Sequence, residues 1–320
     1  MSLGNPDRPV GGLAVPRPDG VDLRPLGRDD FTDALALARE LYGLDTDADP
    51  EPHRAAYEAL IGDVDATPFL AIADGTPAGL IVHRFRRRLN HATFEGWISD
   101  LFVRERFRRR GIGRLLLNAA IAEWRLRGGH QVQLEVGYER AAARRLYEAA
   151  GFVERGKYFE IGPVRTRGVP PRADVEIRPI TNSDADFDAT TRLLAELGRP
   201  APNEEKLPSL RRTYAQHVAR ADTGSMLALL DGTPVGFISL EFRQPYFTLR
   251  PQAWIPDLVV TDRARGRDIG AALLDAALAE AMRRGAYSAA LESGHQRTVA
   301  HRLYLAAGMA DVGSFFTLAR

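Results

Sequence analysis

Residues 108–113 read Arg108-Arg109-Arg110-Gly111-Ile112-Gly113, and residues 265–270 read Arg265-Gly266-Arg267-Asp268-Ile269-Gly270. Each follows an apolar run, Leu101-Phe102-Val103 in one case and Leu258-Val259-Val260 in the other. Each then leads into apolar residues at helical spacing, such as Leu115, Leu116, Ala119 and Trp124. A loop of this kind, between a strand and a helix, leaves backbone amides without partners at the positive end of the helix dipole. Phosphates bind there, and glycine lets them approach closely. Taken alone, Gly-x-Gly is a weak signal, equally compatible with a surface turn carrying solvated arginines.

The two loops lie 157 residues apart, and they are not the only pair at that distance. Asp74-Gly75-Thr76-Pro77 returns as Asp231-Gly232-Thr233-Pro234, Asp100-Leu101 as Asp257-Leu258, and Glu135 as Glu292. Leu146-Tyr147 returns as Leu303-Tyr304 and Gly151 as Gly308. Near the start, Arg24-Pro25-Leu26 matches Arg178-Pro179-Ile180 at a distance of 154, so a three-residue length change falls in the helical region between. A period this long means a duplicated domain rather than a solenoid of short repeats. Pro and Gly in 162–171 oppose both helix and sheet and mark a linker. The expected organisation is a flexible N-terminal segment 1–20, a first domain 21–162, a linker 163–174 and a second domain 175–320. Within a unit, 69–73 and 79–83 flank Asp-Gly-Thr-Pro as a hairpin. The stretches 94–103 and 131–136 read as further strands, and 115–126 and 141–150 as helices. Strand and helix alternate around one mostly antiparallel sheet, an α/β sandwich.

Composition narrows the function. The chain has 320 residues, 45 % hydrophobic and 27 % charged, the ordinary balance of a globular protein of about two domains. No apolar run is long enough to span a membrane, and no basic segment followed by an apolar one suggests a secretory leader. The absence of cysteine excludes disulfides, thiolate metal sites and thiol nucleophiles, and fits a cytoplasmic location. A net charge of +1, from 43 basic and 42 acidic residues, argues against a dedicated nucleic-acid or membrane-surface protein. Only Lys157 and Lys206 are lysines, which leaves little material for Schiff-base or P-loop chemistry.

Arg-x-x-Gly-x-Gly after a strand ending Asp-Leu-x-Val resembles the acetyl-CoA-binding motif of the GNAT N-acetyltransferase superfamily. About 35 residues on, Leu146-Tyr147-Glu148-Ala149-Ala150-Gly151-Phe152 matches that family's second motif, and Leu303-Tyr304-Leu305-Ala306-Ala307-Gly308-Met309 repeats it. The resemblance covers both halves, and it does not extend to a Walker loop, which needs Gly-Lys-Ser/Thr. It implies two tandem GNAT domains, each a mixed, mostly antiparallel twisted sheet flanked by helices and splayed between its fourth and fifth strands. It implies acetyl-CoA as co-substrate; the histidines show no metal-ligand spacing, so no metal is expected. The pyrophosphate would lie on Arg108, Arg109, Arg110, Gly111, Ile112, Gly113 and Arg114, and in the second half on Arg265, Gly266, Arg267, Ile269 and Gly270. Leu101, Phe102 and Val103, with Leu258, Val259 and Val260, would offer backbone groups to pantetheine. Asp268 stands where Gly111 stands, and a carboxylate about 5 Å from a phosphate costs roughly 3 kcal/mol at an effective dielectric near 20. The first domain is therefore expected to bind acetyl-CoA more tightly.

Acetyl transfer to an amine needs a base, oxyanion donors and an acid for the thiolate. The resemblance assigns the acid to Tyr147 and Tyr304, which could equally be core tyrosines on an apolar helix face. It assigns the base to Glu135 and Glu292, each twelve residues before its tyrosine. Asp100, Asp257 and Glu95 are rivals. Arg140 and Arg297 replace the family's usual pantetheine-binding Asn, and His301 lies on the last helix. Arg84, Arg86, Arg87 and Arg88 in the first half, and Pro245, Tyr246, Phe247 and Trp254 in the second, lie where acceptors are selected, but none fixes a substrate. The expected activity is direct acetyl transfer to a primary amine of a small molecule or peptide N-terminus, by a monomeric pseudo-dimer or a homodimer. The alternative is a CoA-binding protein with one or both domains serving as non-catalytic scaffold.

Overall fold

The computed structural model describes residues 18–45, 49–89, 91, 93–201, 203–246 and 248–319. Most of the expected segment 1–20, and Phe247, lie outside the described residues. The first half runs β1 (Val21–Pro25), α1 (Phe31–Tyr42), α2 (Glu51–Gly62), β2 (Phe69–Ala73), β3 (Thr76–Arg86), β4 (Glu95–Val103), α3 (Ile112–Leu126), β5 (Gln131–Gly137), α4 (Ala141–Ala149) and β6 (Val153–Ile161). The second half runs β7 (Val175–Pro179), α5 (Asp184–Glu196), α6 (Leu207–Ala219), β8 (Met226–Leu230), β9 (Thr233–Ile238), β10 (Glu241–Arg243), β11 (Gln252–Trp254), β12 (Leu258–Val260), α7 (Ile269–Arg283), β13 (Ser288–Gly294), α8 (Thr298–Ala306) and β14 (Ala310–Ala319). Among the described residues no helix is long and apolar enough to cross a membrane.

Each hairpin turns on Asp-Gly with both residues left-handed: φ is +51° and +73° at Asp74 and Gly75, and +47° and +76° at Asp231 and Gly232. That backbone matches the twist of the flanking strands, and Asp-Gly adopts it at low cost. The fourth strand differs between the halves. β4 is continuous, whereas Pro256, the counterpart of Ser99, separates β11 from β12 because proline has no N–H to give the ladder. The splay is present in both. β4 and β5 pair in parallel only through Glu95–Ile98, and β11 pairs with β13 while β12 pairs with β9.

The closing strands are exchanged. β14 of the second half lies between β5 and β6 of the first, and β6 pairs in turn with β13. One ten-stranded sheet results, in the order β1-β2-β3-β4-β5-β14-β6-β13-β11-β10, beside a four-stranded sheet β12-β9-β8-β7. The edges of β5 and β13 are thereby each covered by the closing strand of the other half. The two halves, repeats in sequence, are thus joined through the ten-stranded sheet, while β7, β8, β9 and β12 of the second half form a sheet of their own.

A second exchange ties them. Tyr246, from the loop after β10, is buried among Leu26, Phe31, Leu37, Tyr57 and Leu80 of the first half. Leu89, its counterpart after β3, is buried among Ile180, Phe187, Leu193, Tyr214 and Phe237 of the second. The remaining core lies beneath α3 and α7, which bury nine and seven residues respectively against the sheet.

Candidate active site

The two glycine-bearing loops have one backbone with their glycines permuted. Arg109 and Gly266 share a left-handed position (φ +63° and +74°), and Gly111 and Asp268 share another (φ +81° and +59°). Asp tolerates that region better than most residues, which permits the substitution. Gly111 and Asp268 are the N-caps of α3 and α7, and neither helix has a side-chain cap. The first-turn amides of Ile112, Gly113 and Arg114, and of Ile269 and Gly270, stay open to an anion. Asp268 is exposed, and its carboxylate does not engage these amides. Several arginines are committed elsewhere. Arg108 and Arg265 donate to the carbonyls of Val103 and Val260 (3.1 and 3.2 Å), and Arg110 pairs with Asp74 (2.7 Å). Arg109, Arg114 and Arg267 are exposed.

Leu101, Phe102 and Val103 pair with β3, and Leu258, Val259 and Val260 with β9. Their other edges face the splay, beyond the last ladder partner of the fifth strand. Backbone groups so placed suit an extended, amide-bearing chain such as pantetheine.

Tyr147 on α4 and Tyr304 on α8 are 7 % and 6 % exposed. Burial pushes both hydroxyls up to about 12, so each keeps its proton at neutral pH. Arg140 and Arg297 are the N-caps of the same helices; Arg297 donates to the carbonyl of Leu197 (2.9 Å). His301 is buried against Phe159, with ring centroids 5.2 Å apart.

Glu135 and Glu292 do not sit in separate clefts. They meet where the two halves join, each bound by the Trp of its own half: Trp97 Nε1 donates to Glu135 and Trp254 Nε1 to Glu292, both at 2.9 Å. Arg243 reaches Glu135 at 3.3 Å and Glu292 at 4.0 Å. Burial opposes the charge of Glu135, but Arg243 and the hydrogen bond with Glu292 outweigh it and hold the group low. Burial and the Glu135 charge raise Glu292. The rival carboxylates are also occupied. Glu95 binds Arg86 (2.6 Å) and Arg88 (2.8 Å). Asp100 accepts from Tyr42, from Ser99 Oγ (2.6 Å) and from the amide of Tyr246. Asp257 accepts from Arg199 (2.9 Å) and Ser239 Oγ (3.1 Å). Burial raises Asp100, whereas Arg199 and Arg88 overcome burial and hold Asp257 low.

A cavity of about 620 Å³ opens in the second half beside Tyr304, Glu292, Ser293 and Asp257. Arg88, Gln131 and Gln133 of the first half, Arg155 of β6, and Phe315 and Thr317 of β14 complete its wall, so the site is composite. Four of its lining residues are arginines (Arg88, Arg155, Arg199 and Arg297) and three are acids (Glu154, Asp257 and Glu292). Arg155 and Arg297 bind a Thr317 hydroxyl (3.1 Å) and a carbonyl, neither of which neutralises a guanidinium. The first half differs: Tyr42 takes the place of Arg199 on the strand aspartate, and Tyr246 packs in beside it. Arg88 belongs to the arginine run that the sequence marks on the acceptor side, whereas Arg155 and Arg199 had no motif to announce them. The one available signal was that Arg199 follows Tyr42 by the same 157 residues.

An uncapped helix behind a splayed strand, with a buried tyrosine across the opening, is acyl-CoA-dependent transferase architecture. The model of the acetyltransferase (GNAT) family matches residues 32–152 and again 190–309, and the chain belongs to that family. It is 34 % identical over 147 residues to the aminoalkylphosphonate N-acetyltransferase of Salmonella typhimurium, covering 45 % of this chain and 90 % of that protein. In fold it is similar to a GCN5-related N-acetyltransferase from Sphaerobacter thermophilus (23 % identity, 94 % and 96 % of the two chains, TM-score 0.59). It is likewise similar to a tandem GNAT protein from the clavulanic acid biosynthesis pathway (17 % identity, 93 % and 98 %, TM-score 0.55). The protein is a tandem GNAT N-acetyltransferase, and membership implies acetyl-CoA as the acetyl donor.

Proposed function

We propose that the protein acetylates the amine of a small molecule bearing an anionic group, and that turnover takes place in the second half. The observation that carries this reading is the arginine-rich cavity beside Tyr304. Its volume suits a small acceptor, and among the described residues Arg155 and Arg297 bind a hydroxyl and a carbonyl rather than a carboxylate, which leaves their charge for an anionic group. The similar Salmonella enzyme is named for an aminoalkylphosphonate, an amine of that kind. Backbone amides at the start of α7 bind the pyrophosphate and the free edge of β12 binds pantetheine. The amine attacks the thioester carbonyl, the C–N bond forms and the C–S bond breaks. Tyr304 gives its proton to the departing thiolate and recovers one from the new ammonium nitrogen. The first half binds acetyl-CoA through Gly111 to Arg114 and holds Tyr147 in the equivalent place, but Tyr42 and Tyr246 occupy its acceptor side.

The test is acetyl-CoA-dependent thiol release with aminoalkylphosphonates, amino acids and neutral amines of similar size. Anionic amines turn over best, and Arg155→Ala raises their KM about tenfold, about 1.4 kcal/mol, without changing KM for acetyl-CoA. Equal turnover of neutral amines with an indifferent Arg155→Ala would refute the anionic acceptor. Acetyl-CoA binding without turnover of any amine would return the protein to the scaffold reading.

A further inference from the structure

The join between the halves contains a set of residues related in pairs by the 157-residue repeat: Arg86 and Arg243, Trp97 and Trp254, Glu135 and Glu292. Their contacts are crossed. Arg86 of the first half lies 3.6 Å over the ring of Trp254, and Arg243 of the second lies 4.1 Å over Trp97. Each Trp then donates to the glutamate of its own half. The pairing breaks at one position. Glu95 of the first half corresponds to Gln252 of the second. Arg86 and Arg88 are both bound to Glu95, whereas Arg243 meets the neutral Gln252 Oε1 at 2.8 Å. Among the described residues, Arg243 is therefore the guanidinium left to the two glutamates. Glu135 and Glu292 are themselves within hydrogen-bond reach of each other, with side chains 10 % and 5 % exposed.

Two carboxylates cannot make a hydrogen bond; a carboxylate and a carboxylic acid can. The positions of the donors decide which one holds the proton. Arg243 is closer to Glu135, and among the described residues the close donor to Glu292 is the neutral indole of Trp254. The other groups that face the pair do not change this. Arg86 and Arg88 are held by Glu95, while Tyr158, opposite Glu292 in the sheet, and Tyr147 near Glu135 are both neutral phenols at neutral pH.

We propose that Glu135 and Glu292 hold one proton between them across the two halves, and that Glu135 is a positioning residue for the second half's site. Its charge sets the pH at which Glu292, which lines the acceptor cavity, becomes an acceptor for the ammonium proton of the substrate. The proposal rests on turnover in the second half. In the step, the substrate ammonium loses one proton to ionised Glu292 and becomes the free amine, and the pair returns to its singly charged state. That proton then leaves to solvent, balancing the one proton that acetylation of an ammonium releases. The pair thereby couples the first half to chemistry in the second without a ligand passing between them.

The experiment is an infrared titration of the whole protein in heavy water, read at the carbonyl band of protonated carboxyl groups, alongside the pH profile of kcat/KM. Wild type shows a protonated-carboxyl band at neutral pH that disappears on the alkaline side, and Glu292→Gln lacks it. Glu135→Gln removes the like charge and donates an amide hydrogen, so the band disappears at a pH lower by at least one unit. The acid limb of kcat/KM, on which the rate rises with pH, moves with it, a gain of about fivefold one unit below the wild-type midpoint. Glu135→Asp, which keeps the charge, restores a midpoint within half a unit of wild type and controls for folding, with the circular dichroism spectrum as a second check. A wild-type protein without the band at neutral pH, or a Glu135→Gln band at the wild-type midpoint, overturns the shared proton. A band that shifts while the rate limb stays fixed overturns the role in turnover. Failure of every amine to react would remove the proposed function and leave the band to decide the shared proton by itself.

Discussion

Tyr246→Ala should weaken the half of the protein to which Tyr246 does not belong in sequence. The side chain is 2 % exposed and lies among Leu26 and residues of α1, α2, β2 and β3. An aromatic side chain of this size buries roughly 150–250 Å², and truncating a buried one to alanine costs about 3–5 kcal/mol once the cavity is counted. Leu89→Ala, the reciprocal change, costs about 2–4 kcal/mol through the α5 and α6 layer. Because the sheet is shared, wild type should unfold in urea in one transition by circular dichroism, and each variant should lower its midpoint without changing its slope. Hydrogen exchange gives the location: Tyr246→Ala raises exchange in α1 and α2, and Leu89→Ala raises it in α5 and α6. The clusters share no residue, so the double variant should be additive within about 0.5 kcal/mol. A loss below about 1 kcal/mol, or exchange rising only near residue 246, would refute the exchanged-loop packing.

Asp186 is held down to about 2 by Arg178 (2.7 Å), with further bonds from Thr181. Its folded value lies below its unfolded one, so its contribution is complete above about pH 4 and is lost as pH falls through 2. Asp186→Asn should cost about 1–2 kcal/mol at pH 7 and progressively less as pH falls through 2; parallel stability curves would contradict this. Calorimetric titration of acetyl-CoA should give two binding events, with Gly111→Asp weakening one and Asp268→Gly strengthening the other. Unchanged isotherms in both variants would mean that the loops do not hold the pyrophosphate.

The fold was largely legible because its signals are local and doubled. Asp-Gly turns, the loop before each long helix, and Gly151 and Gly308 after α4 and α8 each state a backbone requirement in one or two residues. The repeat at 157 then read every signal twice. The sharing of the sheet was not legible, since a strand such as 310–319 has the same alternation whichever neighbour it joins. The site divides in the same way. Tyr147, Tyr304 and the loop glycines are marked by motif, whereas Arg88 and Arg155 reach the cavity only through the exchanges. Glu135 and Glu292 stand out by spacing, but their meeting depends on β6 and β14 crossing over.

The central claim is that acetyl transfer runs in the second half with Tyr304 as the acid. Comparing kcat of Tyr304→Phe and Tyr147→Phe with an anionic amine tests it most directly. Loss of a general acid lowers kcat by about 100-fold or more, so Tyr304→Phe should fall at least that far while Tyr147→Phe stays within about twofold of wild type. The reverse pattern, or two equal losses, would contradict the account.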